Sequence, residues 1–364
     1  MVRKTEVWNK NSELSEILSN QLGKRMNKAR IKFMSLMISA LCKVQTVTFT
    51  KLAAAFGNKA DPASSLRRIQ RFMAGYVLDK DIIARFIRNI LPFKGPYILA
   101  LDRTNWKYGR SDINIFTLGI TYKGIAFPVL FTMLNKQGNS NTKERIALIE
   151  RFLTLFGVNS IDHLVADREF VGKEWLNYLN FRRIRYHIRI RENFRVKRHD
   201  VWAKASWLFG DLHVRESKHL NGIYYVNGQA CYLSGSRLKN TEGKPELQIL
   251  VSYCKPEEAL DLYKKRWQIE TMFKGMKSSG FNMMATHLKD PQRISRMLSL
   301  VMIAFVWCYL VGIFINDHIK PIKILKHKRR AVSLFKYGLN YISSCLLNPF
   351  RIPLFDIFKF LSYT

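Results

Sequence analysis

The sequence predicts a mixed α/β fold with a helical N-terminal part and a β-rich insertion, and three observations support this. Residues 1–90 carry apolar residues at helical spacing, residues 91–192 alternate β-prone runs with amphipathic stretches, and residues 193–254 combine β-prone runs with turn residues. Helical patterns return over residues 255–316, and a basic tail covers residues 317–364. We therefore predict a helical domain and an α/β core whose two parts flank the insertion.

The N-terminal part contains the outline of a helix-turn-helix. A short apolar run at Phe49–Phe56 precedes a turn at Asn58–Pro62, and a basic helix over Ser64–Met73 follows. The apolar side of that helix faces away from three arginines, Arg67, Arg68 and Arg71. The second helix of such a motif can enter a DNA major groove, although a solvated basic face gives the same pattern.

Residues 91–192 follow the order strand, hairpin, helix, strand, helix, strand. The predicted elements are strand Tyr97–Leu101, hairpin strands Ile113–Tyr122 and Ile125–Leu134, helix Asn141–Phe156, strand His163–Ala166, helix Gly172–Arg182 and strand Tyr186–Ile190. Asn141-Thr142-Lys143-Glu144 resembles a capping box at the start of the first helix. Three meandering strands followed by helix-linked strands describe a mixed sheet of the ribonuclease H-like kind.

The insertion and the segment after it contain a hairpin pattern and a long helix pattern. Asn227-Gly228 separates the β-prone runs Ile223–Val226 and Ala230–Leu233, which predicts a tight hairpin. Proline and two glutamates after Lys255 indicate a helix start, and the helical pattern continues to Ser278.

Met297–Ile315 has no charged residue and is long enough to cross a bilayer. Arg296 precedes it, and the basic segment Lys320–Arg330 follows it. A single membrane span or a core helix covered on all sides would both explain such a segment. We predict a core helix packed against the sheet, because the candidate catalytic residues of this chain suit a soluble protein.

The charge balance of the chain predicts a polyanionic partner. There are 60 lysines and arginines against 27 aspartates and glutamates, which gives a formal net charge of +33. Nucleic acid is the first candidate and an anionic membrane surface the second. A dense basic stretch between Arg182 and Arg198 fits a DNA backbone track or a solvated face.

The cysteine and histidine patterns argue against two other classes of protein. The chain has five cysteines, scattered along the sequence and never in a C-x-x-C pair, which argues against a disulfide framework and favours a reducing compartment. The eight histidines show no ligand spacing, which argues against zinc. The N-terminus lacks an apolar signal segment, so we expect a cytoplasmic protein.

Four functional side chains fall on one face of the predicted helix after Lys255. With a step of about 100° per residue, Tyr263, Arg266, Glu270 and Lys277 lie within an arc of about 60°. The carboxylate can bind a metal ion, and the phenol and the two cations can bind phosphate oxygens around it. A solvated face with intrahelical ion pairs is the alternative.

Two aspartates end short predicted strands and are candidate partners of Glu270. If the strands that precede Asp102 and Asp167 are neighbours in the sheet, both carboxylates project from the same edge. Three carboxylates could then bind one or two Mg²⁺ ions, which would activate the two oxygens of a phosphodiester exchange. For either aspartate alone, a turn or helix-capping role is the commoner explanation.

Taken together, these residues resemble a known family. Tyr263-x2-Arg266-x3-Glu270-x6-Lys277 is similar to the Y-R-E-K signature of bacterial insertion-sequence DDE transposases of the family-four type. The blocks Leu101-Asp102-Arg103-Thr104-Asn105-Trp106 and Ala166-Asp167-Arg168-Glu169 also resemble that family and occur in the same order. The resemblance covers residues 20–316 and is strongest in these three blocks.

The resemblance implies a fold, a reaction and a cofactor. It implies a ribonuclease H-like catalytic domain whose DDE triad, Asp102, Asp167 and Glu270, binds two Mg²⁺ ions, for which Mn²⁺ can substitute. It implies that the protein binds insertion-sequence ends, cleaves the DNA and transfers the strands in a cut-and-paste reaction with a hairpin intermediate. Partners would be double-stranded DNA, both terminal repeats and target, and a second copy of the chain, in a bacterial cytoplasm and without a membrane.

The same resemblance assigns DNA contacts outside the triad. The implied contacts are the phosphate-binding residues Tyr263, Arg266 and Lys277, the strand-end residue Trp267, and one of the insertion tryptophans, Trp202 or Trp207, stacked on a flipped base. The short tail after residue 316 leaves little chain for a separate dimerisation domain. Alternative functions are a transposase-derived DNA-binding protein without catalysis, a metal-dependent nuclease without strand transfer, and a membrane protein anchored by Met297–Ile315.

Overall fold

A computed structural model describes residues 10–57, 60–240, 242–254, 256–348 and 353–362. Positions 58 and 59 of the predicted turn and the predicted helix start at Lys255 lie outside these ranges. The chain divides into two compact units. The helical unit consists of Met1–Pro92, Trp106–Ile113 and Phe273–Thr364, and the sheet unit of Phe93–Asn105 and Asn114–Met272. The boundary at Phe273 falls inside the segment 255–316, which the sequence grouped as one part of the core.

Several helices follow a residue whose side chain accepts one of the first backbone N–H groups of the helix. In chain order the helices are α1 Lys10–Leu22, α2 Lys28–Val44, α3 Phe49–Ala54, α4 Pro62–Gly75, α5 Lys80–Asn89, α6 Thr142–Phe156, α7 Lys173–Phe181, α8 Pro256–Lys264, α9 Trp267–Lys274, α10 Pro291–His318 and α11 Leu334–Leu347. Asn141 and Glu144 form the predicted capping box of α6. Asp61 caps α4 and Asp290 caps α10, each with a proline at the first helical position.

The strands form one large mixed sheet. They are β1 Tyr97–Tyr108, β2 Ser111–Tyr122, β3 Ile125–Met133, β4 Ile161–Ala166, β5 Tyr186–Ile190, β6 Arg195–Arg198, β7 Val201–Lys204, β8 Ser217–His219, β9 Tyr224–Val226, β10 Gln229–Lys239 and β11 Pro245–Ser252. Their order is β3-β2-β1-β4-β5-β11-β10-β9-β6-β7, with β8 also paired to β10. The pairs β1–β4 and β4–β5 are parallel, and β2–β3 and β5–β11 are antiparallel. The mixed α/β fold is therefore confirmed.

Both predicted hairpins are present. β2 and β3 pair antiparallel around Lys123-Gly124, and β9 and β10 pair around Asn227-Gly228. Asn227 and Gly228 have φ of 50° and 77°, the left-handed backbone that a two-residue hairpin turn of this kind requires. The insertion is joined to the rest of the sheet where its last strand, β11, pairs antiparallel with β5.

The long apolar segment forms α10, which is buried among other helices of the helical unit. Its most apolar window has a mean hydropathy of 2.5 and is 94% buried, and by length and composition it is the one described helix that could span a membrane. Gly312 and Gly338 bring α10 and α11 together so closely that a Cβ on Gly312 would lie 1.9 Å from the carbonyl oxygen of Leu334. The predicted burial is confirmed. The predicted packing against a sheet is wrong, since α2 and α11 supply the covering surface.

Two predicted boundaries are also wrong. β1 does not end at Leu101 but continues to Tyr108, because the polar residues after Asp102 alternate with buried ones and keep an extended backbone. The helix predicted to run to Ser278 is interrupted: α8 ends at Lys264, α9 begins at Trp267, and a π-helical turn covers Gly275–Ser279.

Candidate active site

Strand register places the two candidate aspartates next to each other. In the parallel pair β1–β4, Leu101 lies opposite Ala166, so Asp102 and Asp167 are the next residues on neighbouring strands. Each carboxylate accepts the backbone N–H of the following residue at 2.7 Å, from Arg103 and Arg168 respectively. The two side chains therefore leave the sheet at one position along its edge, as the sequence predicted.

Burial controls the charge of Asp102. Removal from water, the largest cause, and the nearby carboxylates of Glu169 and Glu270 together raise the pKa of Asp102 to about 7, although the Arg103 N–H and the Arg266 guanidinium oppose the shift. A carboxyl with this pKa exchanges its proton near neutral pH. It is therefore a group whose charge a bound cation can change.

Arg266 joins two of the three candidate carboxylates. Its Nη1 lies 3.6 Å from Oδ2 of Asp102, and its Nη2 lies 2.7 Å from Oε1 of Glu270. The Arg266 side chain is 10% exposed, compared with 16% for Asp102 and 36% for Glu270. Burial by itself would lower the pKa of Arg266, but the surrounding Tyr263 and carboxylates raise it, so the guanidinium remains charged.

The backbone between α8 and α9 determines where Arg266 points. Arg266 N donates to the carbonyl of Tyr263 at 2.9 Å, and Ile269 N donates to the carbonyl of Arg266 at 3.1 Å. These i→i+3 bonds tighten the chain to a 3₁₀-type turn with about three residues per turn. The uniform 100° step of the sequence prediction therefore does not apply, although Tyr263, Arg266 and Glu270 still come together.

Tyr263 contacts the third carboxylate of the group. Its hydroxyl donates to Oδ1 of Asp167 at 3.3 Å. Burial raises the pKa of Tyr263, and the negative charge of Asp167 adds to this shift, so the phenol stays protonated. The sheet unit thus assembles Asp102, Asp167, Glu270, Arg266 and Tyr263 into one cluster of carboxylates and donors.

Lys277 belongs to the helical unit, in the π-helical turn Gly275–Ser279. Its ammonium lies 5.6 Å from the centre of the Trp106 ring, and burial lowers the pKa of Lys277. The regular helix predicted to carry both Glu270 and Lys277 is interrupted by this π-helical turn, so the uniform 100° step of the sequence prediction does not apply to Lys277.

The sequence did not predict the hydrogen-bond network around Arg103. Its guanidinium donates to both oxygens of Glu169, at 3.4 and 3.2 Å, and to the amide oxygens of Asn114 and Asn139. Arg145 donates to the carbonyl of Glu169 at 2.9 Å. These hydrogen bonds connect Arg103, which follows Asp102, to Glu169, which lies two residues after Asp167. The sequence signals were an arginine directly after each aspartate and Glu169 in the second block, but no local pattern pairs Arg103 with Glu169.

The tryptophans assigned to DNA contacts are all exposed. Trp202 and Trp207 are 48% and 69% exposed, and Trp267 is exposed beside Arg266. The Arg195 guanidinium carbon lies 5.6 Å from the Trp202 ring centre, and the Lys204 ammonium lies 5.5 Å from that of Trp207. An exposed aromatic ring with a cation over it can stack on a base while the cation binds phosphate.

The three arginines of α4 differ in exposure. Arg67 and Arg71 are exposed, whereas Arg68 is half-buried with its guanidinium carbon 5.8 Å from the Phe33 ring centre. Ile69 and Phe72 are buried on the other side of the helix. α4 thus has the predicted amphipathic form, and two of its three arginines are accessible.

Metal-ligand geometry is not preformed in the parts of the chain that the structure describes. There, no three His, Cys, Asp or Glu side chains stand close enough together to hold an ion. In the candidate site Arg266 supplies the positive charge next to Asp102 and Glu270.

Comparison with known proteins identifies the class to which this fold and site belong. The family model of the transposase DDE domain matches residues 93–307, and the chain therefore belongs to the DDE transposase family. That family implies cleavage and transfer of nucleic-acid strands, and its members typically use divalent metal ions. No curated protein sequence matches the chain.

One solved structure similar to this chain is the cryo-EM structure of the piggyBac transposase synaptic complex with hairpin DNA. The two share 14% sequence identity with a TM-score of 0.45, and the similarity covers 96% of this chain and 80% of the other.

Proposed function

We propose that this protein is a transposase of the bacterial family-four type, which binds insertion-sequence ends and catalyses DNA cleavage and strand transfer through a hairpin intermediate. The observation that supports this most strongly is the register Leu101–Ala166, which sets Asp102 and Asp167 side by side, with Arg266 linking Asp102 to Glu270. The strand order β3-β2-β1-β4-β5 favours a ribonuclease H-like catalytic domain, interrupted by an insertion that begins after β5.

The candidate triad has the chemistry of a site for hard divalent cations. It offers three carboxylates and neither thiol nor imidazole, which suits Mg²⁺ or Mn²⁺. Burial and two neighbouring carboxylates disfavour the ionised form of Asp102, and a cation would stabilise that form. Asp102, Asp167 and Glu270 would hold the metal, which when bound polarises the scissile phosphodiester and favours the ionised form of the attacking hydroxyl.

Arg266 and Tyr263 are suited to hold the DNA strand end beside the triad. Nε and Nη1 of Arg266 are buried and have no hydrogen-bond partner among the described residues. Such donors are costly to leave unpaired and can bind phosphate oxygens. The protonated phenol of Tyr263 can supply one further hydrogen bond. The role of Lys277 at the strand end rests on the resemblance of the motif.

A cavity of about 460 Å³ adjoins these two residues in the sheet unit, and its lining carries cations together with the acidic residues Glu216, Glu257 and Asp261. Its walls include Tyr263, Arg266, Trp267 and the cations Arg189, Arg215 and Lys264. A pocket of this size has room for one nucleotide, and Arg266 on its wall could bind the phosphate. It supports the assignment of Trp267 to the strand end.

Binding of the element end is assigned to the arginines of α4 and to one tryptophan of the insertion. The exposed arginines of α4 would contact DNA after the short helix α3, as in a helix-turn-helix. Trp202 or Trp207 would stack on the flipped base. In the active complex we propose a homodimer on double-stranded DNA, in the bacterial cytoplasm.

The test uses the full chain, its own flanking element ends and Mg²⁺, with nicked, hairpin and joined products resolved on gels. Asp102→Asn, Asp167→Asn and Glu270→Gln should each reduce cleavage by about 10³-fold, the upper end of the range for loss of one electrostatic group, and should retain end binding. Products that stop at nicks and double-strand breaks would identify a nuclease without strand transfer. Specific binding by a wild-type chain that never cleaves would identify a DNA-binding protein without catalysis.

A further inference from the structure

The loop between α10 and α11 carries a group of cations that the proposed active site does not use. The exposed members are Lys320, Lys323, Lys326, His327, Lys328, Arg329 and Arg330, and we call this segment the basic loop. The sequence has no acidic residue between Asp317 and Asp356. The basic loop is thus a local excess of positive charge and not a mixed surface.

Backbone hydrogen bonds give the basic loop a defined hairpin conformation. Leu325 N donates to the carbonyl of Arg329 at 2.8 Å, and Ala331 N donates to the carbonyl of Lys323 at 2.9 Å. Ile324 and Arg330 form an antiparallel bridge, and Lys328 at the tip has φ of 59°. At its base, Tyr337 Oη donates to the carbonyl of Lys320 at 3.1 Å.

The cations of the basic loop are not neutralised. Within the described ranges of the chain, none of them forms an ion pair with a carboxylate, whereas Lys218 pairs with Asp211 at 2.7 Å and Lys244 with Glu242 at 3.0 Å. Like charges held this close repel each other, so the arrangement does not serve stability. It suits an external polyanion whose own charges are closely and regularly spaced.

We propose that the basic loop binds the phosphate backbone of duplex DNA without reading its sequence. This inference rests on the proposed function, since it takes DNA as the substrate. Residues 319–331 contain no Asn, Gln, Ser or Thr, so the side chains that pair with adenine are missing, and the loop offers little besides cations. Lysine and arginine contacts to phosphate position a protein on DNA and are equally available on every sequence.

Duplex DNA is a better partner for this surface than an anionic membrane. Stable attachment to a membrane needs an apolar anchor in addition to basic residues. The apolar helix that precedes the basic loop, α10, is 94% buried in its most apolar window. It therefore offers no such anchor, while binding to a phosphate backbone needs the cations alone.

The experiment measures the salt dependence of DNA binding by the full chain. The test variant is Lys326→Gln/Arg329→Gln, which removes two positive charges, keeps polar side chains and leaves both backbone bonds of the hairpin intact. The matched control is Lys218→Gln/Lys244→Gln, which removes two cations that are already paired with carboxylates. Each phosphate contact contributes about −0.9 to the slope of log Kobs against log salt concentration. The test variant should therefore lose up to about 1.8 of that slope on both element-end and random duplexes, and the control should lose none.

Four outcomes separate the possibilities. A test variant with the wild-type slope would overturn the proposal, and so would a loss confined to element-end DNA. Loss of binding to phosphatidylserine vesicles with an unchanged DNA slope would also overturn it and assign the loop to a membrane. If the wild-type chain cleaves no DNA but the test variant still shows the expected slope change, the result would support DNA binding by the basic loop and refute the transposase activity.

Discussion

Two groups of cationic side chains in this protein differ in their surroundings. Arg266 in the sheet unit is 10% exposed and contacts the carboxylates of Asp102 and Glu270. The cations of the basic loop in the helical unit are exposed, and none is ion-paired within the described residues. A buried, paired cation such as Arg266 holds the carboxylates of a site in place, whereas an exposed, unpaired cation can bind a partner. The cations that give the net charge of +33 therefore serve two different functions, and only the surroundings of each cation show which one it serves.

The strongest test of this comparison replaces one arginine of each kind by methionine. Arg266→Met should lower the free energy of unfolding by about 3 kcal/mol, because it leaves the buried carboxylates without their counter-charge. Arg329→Met should change it by no more than about 0.5 kcal/mol, as is usual for an exposed side chain. Urea unfolding of both variants measures this. Equal losses would mean that burial does not distinguish the two groups.

A second test uses the pH dependence of stability. The pKa of Asp102 rises from 3.8 to about 7 on folding, so the folded protein binds an extra proton between these values. The stability that this proton provides is fully present below pH 4 and is lost as the pH rises through 7. Relative to Asp102→Asn, the wild type should therefore lose up to about 1.4 kcal/mol per pH unit in this window.

The measurement is urea unfolding of both proteins at several pH values, in the presence of a chelator. Parallel pH profiles of the wild type and Asp102→Asn would show that Asp102 does not titrate in this range. Added Mg²⁺ should flatten the wild-type profile, because it stabilises the ionised carboxylate.

A third test concerns the network that the sequence did not predict. Arg103→Lys should cost about 1 kcal/mol of stability, because a lysine cannot bridge both oxygens of Glu169. It should also slow cleavage by about 10²-fold while keeping end binding, since small displacements at a reacting centre have such effects. The control Asn139→Ala removes one exposed partner of Arg103 and should change both quantities less. Equal effects of the two variants would argue against a positioning role for the Glu169 contact.

The smallest effects on stability are expected at the insertion tryptophans. Trp202→Ala and Trp207→Ala should each change the free energy of unfolding by no more than about 0.5 kcal/mol, because both rings are exposed. The variant that lacks the base-stacking ring should lose about 1–3 kcal/mol of binding to a substrate with an unpaired base. The fluorescence of a base analogue at that position measures the stacking. If neither variant affects it, the insertion does not hold the flipped base.

Much of the sheet was predictable because its signals are local. Alternation, turn residues and capping residues lie within a few positions of each other, so β2–β3, the capping box of α6 and the Asn227-Gly228 hairpin follow from short stretches of chain. The neighbouring position of Asp102 and Asp167 was predictable in the same way, once β1 and β4 were recognised as strands that could pair in parallel.

The helix that carries Glu270 shows where this approach fails. A periodicity of 3.6 residues predicts one face only while the helix is regular, and neither the i→i+3 turn at Arg266 nor the π turn at Lys277 leaves a clear trace in the local pattern. Both depend on what the neighbouring side chains contact. Tyr263 bonds to Asp167, ninety-six positions away, and no local rule supplies that partner.

The sequence by itself determined the mixed α/β class, the identity of the candidate carboxylates and the apolar character of α10, because composition and short-range spacing are properties of the chain alone. Only the tertiary structure decided that helices cover α10, that Arg103 bonds to Glu169, and that Arg266 is paired while the basic loop is not. The physical reason is that burial and ion pairing depend on which distant segments come together. The free energy of a charge changes far more with those surroundings than with its position in the sequence.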